Sequence, residues 1–273
     1  MKRQLGPWLL RTVIAILGSL IIVLPLLLVF LGSLKTPAEA AKLSLSLPTE
    51  WMWSNYKTVF IEGRLLNGFK NSVIVTVGTV ILAVGAGSMT AYFISRRHGS
   101  WVQYLFFVFF AGMIAPPSMI PTIKLMQALH ISGEFIGLIL FLTALYLPLT
   151  IVIMSGFVKG LPREIDEAAT IDGAGSFYTF TRIIFPLLKP SIATVTVFVA
   201  IYAWNDFLNT LYIISDSNKW TLPFSVYNFV SQYGTEWQFV FADLLSVMVP
   251  ILIIYLFLQR YIIEGMTAGS VKG

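Results

Sequence analysis

Three polar residues fall where the sequence is otherwise apolar: Asn205, Asp206 and Asp243. Ionisable groups at membrane depth are expensive, and they are kept for pairing or for a path across the bilayer. Asn205 and Asp206 sit about 12 Å from the end of their apolar run, at 1.5 Å of helix per residue. Two readings stay open for them, a hydrogen bond between helices that locks a bundle or the wall of a polar path. Asp243 lies nearer the end of its run and is expected to be hydrated. The remaining inventory is short. With no cysteine, the 273-residue chain has no disulfide or thiolate metal site, and its two histidines, His98 and His130, form no cluster. His98, beside Arg96 and Arg97, reads as a solvated turn residue. The glycine-bearing "GTVILAVGAGS" lacks the lysine of a phosphate-binding loop and sits inside an apolar run. Its Gly85, Gly87 and Ser88 suit close helix packing instead. No nucleophile elbow or metal-ligand spacing occurs, so the chain is expected to be no enzyme by itself.

The elements that must hold these residues follow from composition. The chain is 57% hydrophobic and 11% charged, with mean hydropathy +0.82. Soluble domains carry about 25% charged residues, so this chain belongs in a membrane. A hydrocarbon core about 30 Å thick needs roughly 20 apolar residues per helix. Six such spans lie near 13–34, 71–94, 101–120, 136–157, 191–214 and 239–261. The third is interrupted by Pro116, Pro117 and Pro121 and is expected to break near one end. No long polar insert or repeat divides the chain, so 1–273 reads as one transmembrane domain. Lys2, Arg3 and the "AEA" at 38–40 would suit a cleaved leader. The first apolar run is longer than a signal core, however, and reads as an uncleaved span.

Basic residues set the direction. The segments on the side of the N-terminus carry eleven Lys and Arg against five acids, and the opposite segments seven against six. That bias places both termini in the cytoplasm. The net charge of +5 resides in short loops between spans, which fits a membrane protein and not a nucleic-acid binder.

The segment "EIDEAATIDGAGSFYTFTRIIFP" breaks the apolar pattern within the inner loop 158–190. Pro162 suits a first helical turn. Ile165, Ala168 and Ala169 recur at helical spacing, and Gly173 and Gly175 stop the helix. A second turn aligns Phe177, Phe180 and Ile184 and ends at Pro186. The pattern describes a short helix-turn-helix at the cytoplasmic surface whose thin face, Ala168 and Ala169, admits another backbone. Four acids, Glu164, Asp166, Glu167 and Asp172, disfavour an anionic leaflet as its neighbour. A protein neighbour is the reading that remains.

That stretch resembles the "EAA" loop of the inner-membrane subunits of binding-protein-dependent ABC importers. Their pattern is EAA, three residues, Gly, nine residues, then Ile-x-Leu-Pro. Here Glu167-Ala168-Ala169 precedes Gly173 by three residues, and nine more lead to Ile183-Ile184-Phe185-Pro186, with Phe185 the one departure. Further pieces are similar to the maltose-permease-like branch that imports carbohydrates. They are "NS" at 71–72, "MIAPPSMIPTIKLMQAL" at 113–129, "WNDF" at 204–207 and "GMTAGSVKG" at 265–273.

The resemblance implies an all-α polytopic fold of six transmembrane helices with a cytoplasmic coupling helix. It implies half of a sugar pathway in the inner or plasma membrane of a prokaryote, with a second, homologous permease subunit as the other half of a heterodimer. Glu167, Ala168, Ala169, Asp172 and Gly173 would dock in an ATP-binding cassette ATPase dimer, which holds ATP and Mg; this chain holds no cofactor. The tail, through Gly269, Ser270 and Lys272, would run between the ATPase subunits, being too glycine-rich to keep a helix by itself. The outer loop 215–237 is a solvated connector on composition; by resemblance it would reach an extracytoplasmic sugar-binding protein. Asn205 and Asp206 would then face hydroxyl-rich sugars or lock the bundle. Two alternatives are an importer for phosphate or amino acids, which shares the loop, and a secondary transporter. The latter would require paired buried ionisable groups and inverted repeats.

Overall fold

The computed structural model describes residues 5–231 and 234–270, with side chains for 10–230, 234–253, 255 and 256. In chain order the helices are α1 (Leu5–Ser33), α2 (Pro37–Ala40), α3 (Ser54–Glu62), α4 (Leu65–Arg96), α5 (Ser100–Ile114), α6 (Met119–Ala128) and α7 (Phe135–Gly160). There follow α8 (Glu164–Ile171), α9 (Ser176–Tyr178), a π-helical turn at Thr179–Ile184, α10 (Phe185–Leu187), α11 (Lys189–Trp204), α12 (Leu208–Ile213) and α13 (Trp237–Ser270). Two 3₁₀ segments, Ser217–Lys219 and Leu222–Phe229, precede a two-residue antiparallel pair, β1 (Val230–Ser231) and β2 (Gly234–Thr235), with Val230 opposite Thr235.

The fold is all-α and polytopic, as expected. Leu10–Ser33 of α1, α4 and α7 are each long and apolar enough to cross a membrane. Two bent pairs can each supply a further crossing: α5 with α6 at 113°, and Ser176–Leu187 with α11 at 79°. The apolar start of α13, Trp237–Ile253, makes a sixth passage consistent with the expected count. The proline break falls where the sequence placed it. Ala115 turns extended (ψ 123°) ahead of Pro116, because a proline ring clashes with a helical preceding residue.

The chain packs as two compact units. One takes the residues up to Leu66 with Pro223–Pro250, and the other takes Asn67–Leu222 with the residues from Ile251 onward.

In the first unit, α1 exposes its aliphatic flank, and its 18-residue apolar window has no buried residue. Only its last turn packs: a β-carbon on Gly32 would overlap the Phe241 ring of α13. Beyond it Lys35 is buried, its Nζ donating to the Ser44 carbonyl (2.6 Å) and approaching the Ser46 hydroxyl (3.2 Å). Asn55 secures the same turn by donating Nδ2 to the carbonyls of Ser33 and Lys35. Glu39 closes a capping box on Thr36 and accepts a 2.7 Å bond from Thr49 Oγ1. That bond, the largest cause, holds the Glu39 carboxyl below its ordinary range. Asp243 is not hydrated: it is fully buried and accepts from Ser225 Oγ at 2.7 Å. Nearness to a span's end did not expose it, because the 3₁₀ segment Leu222–Phe229 brings Ser225 over it.

The second unit is organised on α7, against which α5, α11 and α12 pack. Leu138 and Leu142 are buried one turn apart, and Ile151, Met154 and Val158 form a second buried stripe about half a turn around the helix, so α7 packs on both sides. Close approach of α4 to α7 needs Gly87, whose added β-carbon would overlap Thr150 Cγ2, and Gly78, where one would come within 2.8 Å of Ile139. Ser88 is buried and donates to the Gly85 carbonyl. Gly85 itself faces open space, so it is not a packing glycine as expected.

Composition mistook part of 215–237 for a solvated connector. Asn71 donates to the carbonyls of Asn218 and Trp220, both at 2.9 Å, and Ser72 Oγ accepts the Leu222 N–H at 2.8 Å. Thr221, Leu222, Phe224, Ser225 and Phe229 are buried. The "NS" pair thus fastens the start of this loop, while Ser215–Asn218 stay exposed.

Candidate functional site

The polar inner segment is built from its ends. Pro162 and Arg163 precede α8, with Arg163 in the N-cap position, so the proline stands just outside the helix instead of in its first turn. Glu164, Asp166 and Glu167 occupy that first turn, where carboxylates complement the helix dipole. The far end is a Schellman closure. Ala174 N–H donates to the Ala169 carbonyl (2.9 Å) and Gly173 N–H to the Thr170 carbonyl (3.0 Å). This closure needs a left-handed residue, and Gly173 supplies it at φ +81°.

Burial divides the expected face. Ala169 is 4% exposed and packs inward, whereas Glu167, Ala168, Asp172 and Gly173 are exposed. The thin face available to a partner is therefore Ala168 flanked by acids, with Ile171 at 86% exposure beside it, and not the Ala168–Ala169 pair. Ile165 turns inward with Ala169, next to Val158, Ile184 and Leu188.

A single acid ties α8 to a spanning helix. Asp166 forms an ion pair with Arg96 of α4 (Nη2 to Oδ2, 2.9 Å), a contact without hydrogen-bond alignment, and accepts an aligned bond from Tyr92 Oη at 2.7 Å. Arg96 Nη1 also donates to the Leu161 carbonyl at 3.2 Å. Both charged side chains are mostly shielded from water.

Beyond the closure the second turn differs from the helical spacing read in the sequence. The π-helical turn Thr179–Ile184 admits one extra residue, so Phe180 and Ile184 are buried while Phe177 is 70% exposed. Pro186 sits within α10 and does not end it; the chain turns at Leu188.

The other candidates lie elsewhere. Asn205 donates to the Ile201 carbonyl of its own helix and is exposed. Asp206 accepts from Asn209 Nδ2 and from the Thr210 N–H at 3.0 Å, so it caps α12 locally and does not bridge separate helices. The span expected at 191–214 is consequently broken at residues 205–207. Gly269 and Ser270 belong to α13, which continues to Ser270. A helix already nucleated adds residues one bond at a time, and that outweighs the glycines which argued against helix here. Lys272 lies outside the described residues. Sequence reasoning did not single out Tyr92 or Arg96 as partners of the polar loop. Only their position at the end of a span, next to a chain segment with four acids, could have signalled it.

An all-α set of apolar passages with an exposed, capped helix between two of them defines a polytopic membrane protein. The model of the binding-protein-dependent transport system inner membrane component family matches residues 83–268, and the chain belongs to that family. The chain is 31% identical over 261 residues to the diacetylchitobiose uptake system permease protein NgcG of Streptomyces coelicolor, covering 94% of this chain and 86% of that one. It is 34% identical over 271 residues to the multiple sugar-binding transport system permease protein MsmG of Streptococcus mutans, with 96% of each covered. Among solved structures, a chain of a bacterial ABC transporter involved in import of the acidic polysaccharide alginate superposes with a TM-score of 0.82. That match covers 96% of this chain and 98% of the other at 20% identity, and it establishes the shared fold.

Proposed function

We propose that this chain forms half of the membrane pathway of an ATP-driven importer for a sugar or oligosaccharide and is driven by a separate ATPase through α8. The observation that carries the reading is the exposed edge of Glu167, Ala168, Asp172 and Gly173, closed by Gly173 and anchored through Asp166 to Arg96. A small-residue edge flanked by acids fits a groove with basic walls, and Ala168 lets the two backbones approach. The sugar class is supported by the relatives, whose names specify diacetylchitobiose and multiple sugars.

In this reading ATP and its Mg²⁺ belong to the ATPase dimer, and a second permease completes the pathway. An extracytoplasmic binding protein delivers the sugar to the side of Ser215–Asn218. Both termini face the cytoplasm, and Gly269, Ser270 and Lys272 extend toward the ATPase. Closure of the ATPase moves α8, and Asp166 passes that displacement to the end of α4. The test is co-purification and uptake with the partner subunits. Glu167→Lys, placing a cation against a basic groove, is expected to abolish ATPase binding and sugar uptake while leaving the chain in the membrane. Wild-type ATPase binding by that variant would overturn the docking role of α8.

A further inference from the structure

Four basic or imidazole side chains meet at the end of three spanning helices and have no use in the coupling described above. Arg97 follows α4, His98 lies in the turn before α5, Lys159 is in the last turn of α7, and Arg163 caps α8. All four are exposed, and all line one surface cavity of about 400 Å³ whose other walls include the apolar rings of Phe106 and Phe107 on α5. The cavity lies wholly within the second unit.

The charge here is uncompensated. No carboxylate lines the cavity, and among the described residues none of Arg97, Lys159 and Arg163 has an ion-pair partner. Asp166, which lies nearby in sequence, is taken by Arg96 and Tyr92. The cations are placed by weaker contacts: Arg97 over the Phe93 ring at 4.9 Å and Lys159 Nζ over the Phe106 ring at 5.4 Å. Arg163 Nη1 donates to His98 Nε2 at 2.7 Å, which requires that imidazole nitrogen to be unprotonated. Cations are favoured singly at helix C-termini, but that does not account for gathering Lys159, Arg97 and Arg163 around one cavity, where they repel one another.

We infer that this cavity binds the phosphate headgroup of an anionic phospholipid, with Arg97, Lys159 and Arg163 on the phosphate and Phe106 and Phe107 against the start of an acyl chain. Two features select a lipid over a soluble anion. The cations stand at the end of apolar helices, where headgroups lie on either assignment of the two membrane faces. The cavity also continues from its charged rim onto exposed Phe107, 65% accessible, which a free phosphate would leave bare. Basic pockets of this kind between spans recognise anionic headgroups, and each Lys or Arg near the surface contributes on the order of a fivefold gain in binding. The inference does not depend on which solute the chain carries.

The test uses the full chain in detergent, with native mass spectrometry after stepwise delipidation and re-addition of dioleoylphosphatidylglycerol or dioleoylphosphatidylcholine. The wild-type chain is expected to retain about one phosphatidylglycerol where phosphatidylcholine is lost. Arg97→Gln/Lys159→Gln/Arg163→Gln is expected to retain it at least tenfold less well, and Lys159→Gln alone about fivefold less well. Lys124→Gln, an exposed cation of α6 outside the cavity, should match wild type. Should the triple variant not fold, Lys159→Gln and Phe107→Ser carry the test, each with melting temperature measured alongside. Equal retention of both lipids, or wild-type retention in the variants, would overturn the inference. Displacement of the lipid by millimolar inorganic phosphate would overturn the lipid assignment in favour of a soluble-anion site.

Discussion

Arg96 and Asp166 stand seventy positions apart in sequence, yet their side chains meet at 2.9 Å and fasten the polar loop to the end of α4. Because both are mostly shielded, removing one leaves a charge that neither water nor a partner fully satisfies. Arg96→Gln and Asp166→Asn are each expected to lower stability by about 1–3 kcal/mol, and Tyr92→Phe by about 1 kcal/mol, the net worth of one hydrogen bond. The double variant should cost less than the sum of the singles, with a coupling of about 0.5–3 kcal/mol. Thermal unfolding in detergent measures this, and strict additivity would contradict the pairing.

Gly173 sets the second prediction. Its φ of +81° disfavours every side chain with a β-carbon, and asparagine least. Stability and ATPase binding should fall in the order glycine, asparagine, alanine, valine, with alanine costing about 1–2 kcal/mol. No neighbour lies within 4 Å of the position a β-carbon would take. The loss should therefore track backbone preference, not side-chain volume, and leucine should be no worse than valine.

Two glycines of α4 separated by one residue should behave oppositely. Gly87→Ala is expected to destabilise by about 1–3 kcal/mol, since Thr150 is β-branched, buried and unable to swing away. Thr150→Ser removes the overlapped Cγ2, keeps the hydroxyl bond to the Tyr146 carbonyl and should rescue much of that loss. Gly85→Ala meets nothing and should be neutral or stabilising by about 0.5–1 kcal/mol through helix propensity. A melting series of Gly87→Ala, Thr150→Ser, Gly87→Ala/Thr150→Ser and Gly85→Ala decides it.

Orientation is open to a direct measurement because the chain has no native cysteine. Ser100→Cys and Ser217→Cys both create exposed thiols. The charge bias puts the first on the cytoplasmic face and the second outside. In intact cells an impermeant maleimide should label position 217 and leave position 100 unlabelled until the membrane is opened. Labelling of position 100 from outside would reverse the topology.

Deleting residues 267–273 is expected to leave membrane insertion intact and to weaken ATPase association or uncouple hydrolysis from uptake. Pull-down and uptake assays report the two effects. Unchanged association, hydrolysis and uptake would remove the tail from the coupling surface.

Much of this was legible in the sequence where a local rule decides the outcome. Pro116 and Pro117 announced the 113° break, and Gly173 announced the left-handed closure, because proline and glycine act through the backbone at their own positions. Burial of polar groups was not legible. Asp243 read as hydrated yet is buried, as is Lys35, because their partners come from the folding of segments such as Ser225 and Ser44–Ser46 that no local pattern foretells. The parting of Phe177 from the buried Phe180 and Ile184 was missed for a related reason. One π-helical turn shifts every later side chain around the axis, and spacing rules assume an uninterrupted α-helix.

Between Ile14 and Leu27 the aliphatic side chains of α1 are all exposed, Ile21 at 75% and Ile22 at 66%. One aliphatic residue there serves as well as another, since exchanging them opens no cavity and loses no interlocking neighbour. A few residues later Gly32 admits no added methyl group against Phe241. The same helix thus holds a stretch where natural variation is nearly unconstrained in identity though fixed in greasiness, and a point where a single carbon is forbidden. Among descendants of this chain, the record of change along α1 should read as aliphatic interchange up to its last turn and silence at Gly32.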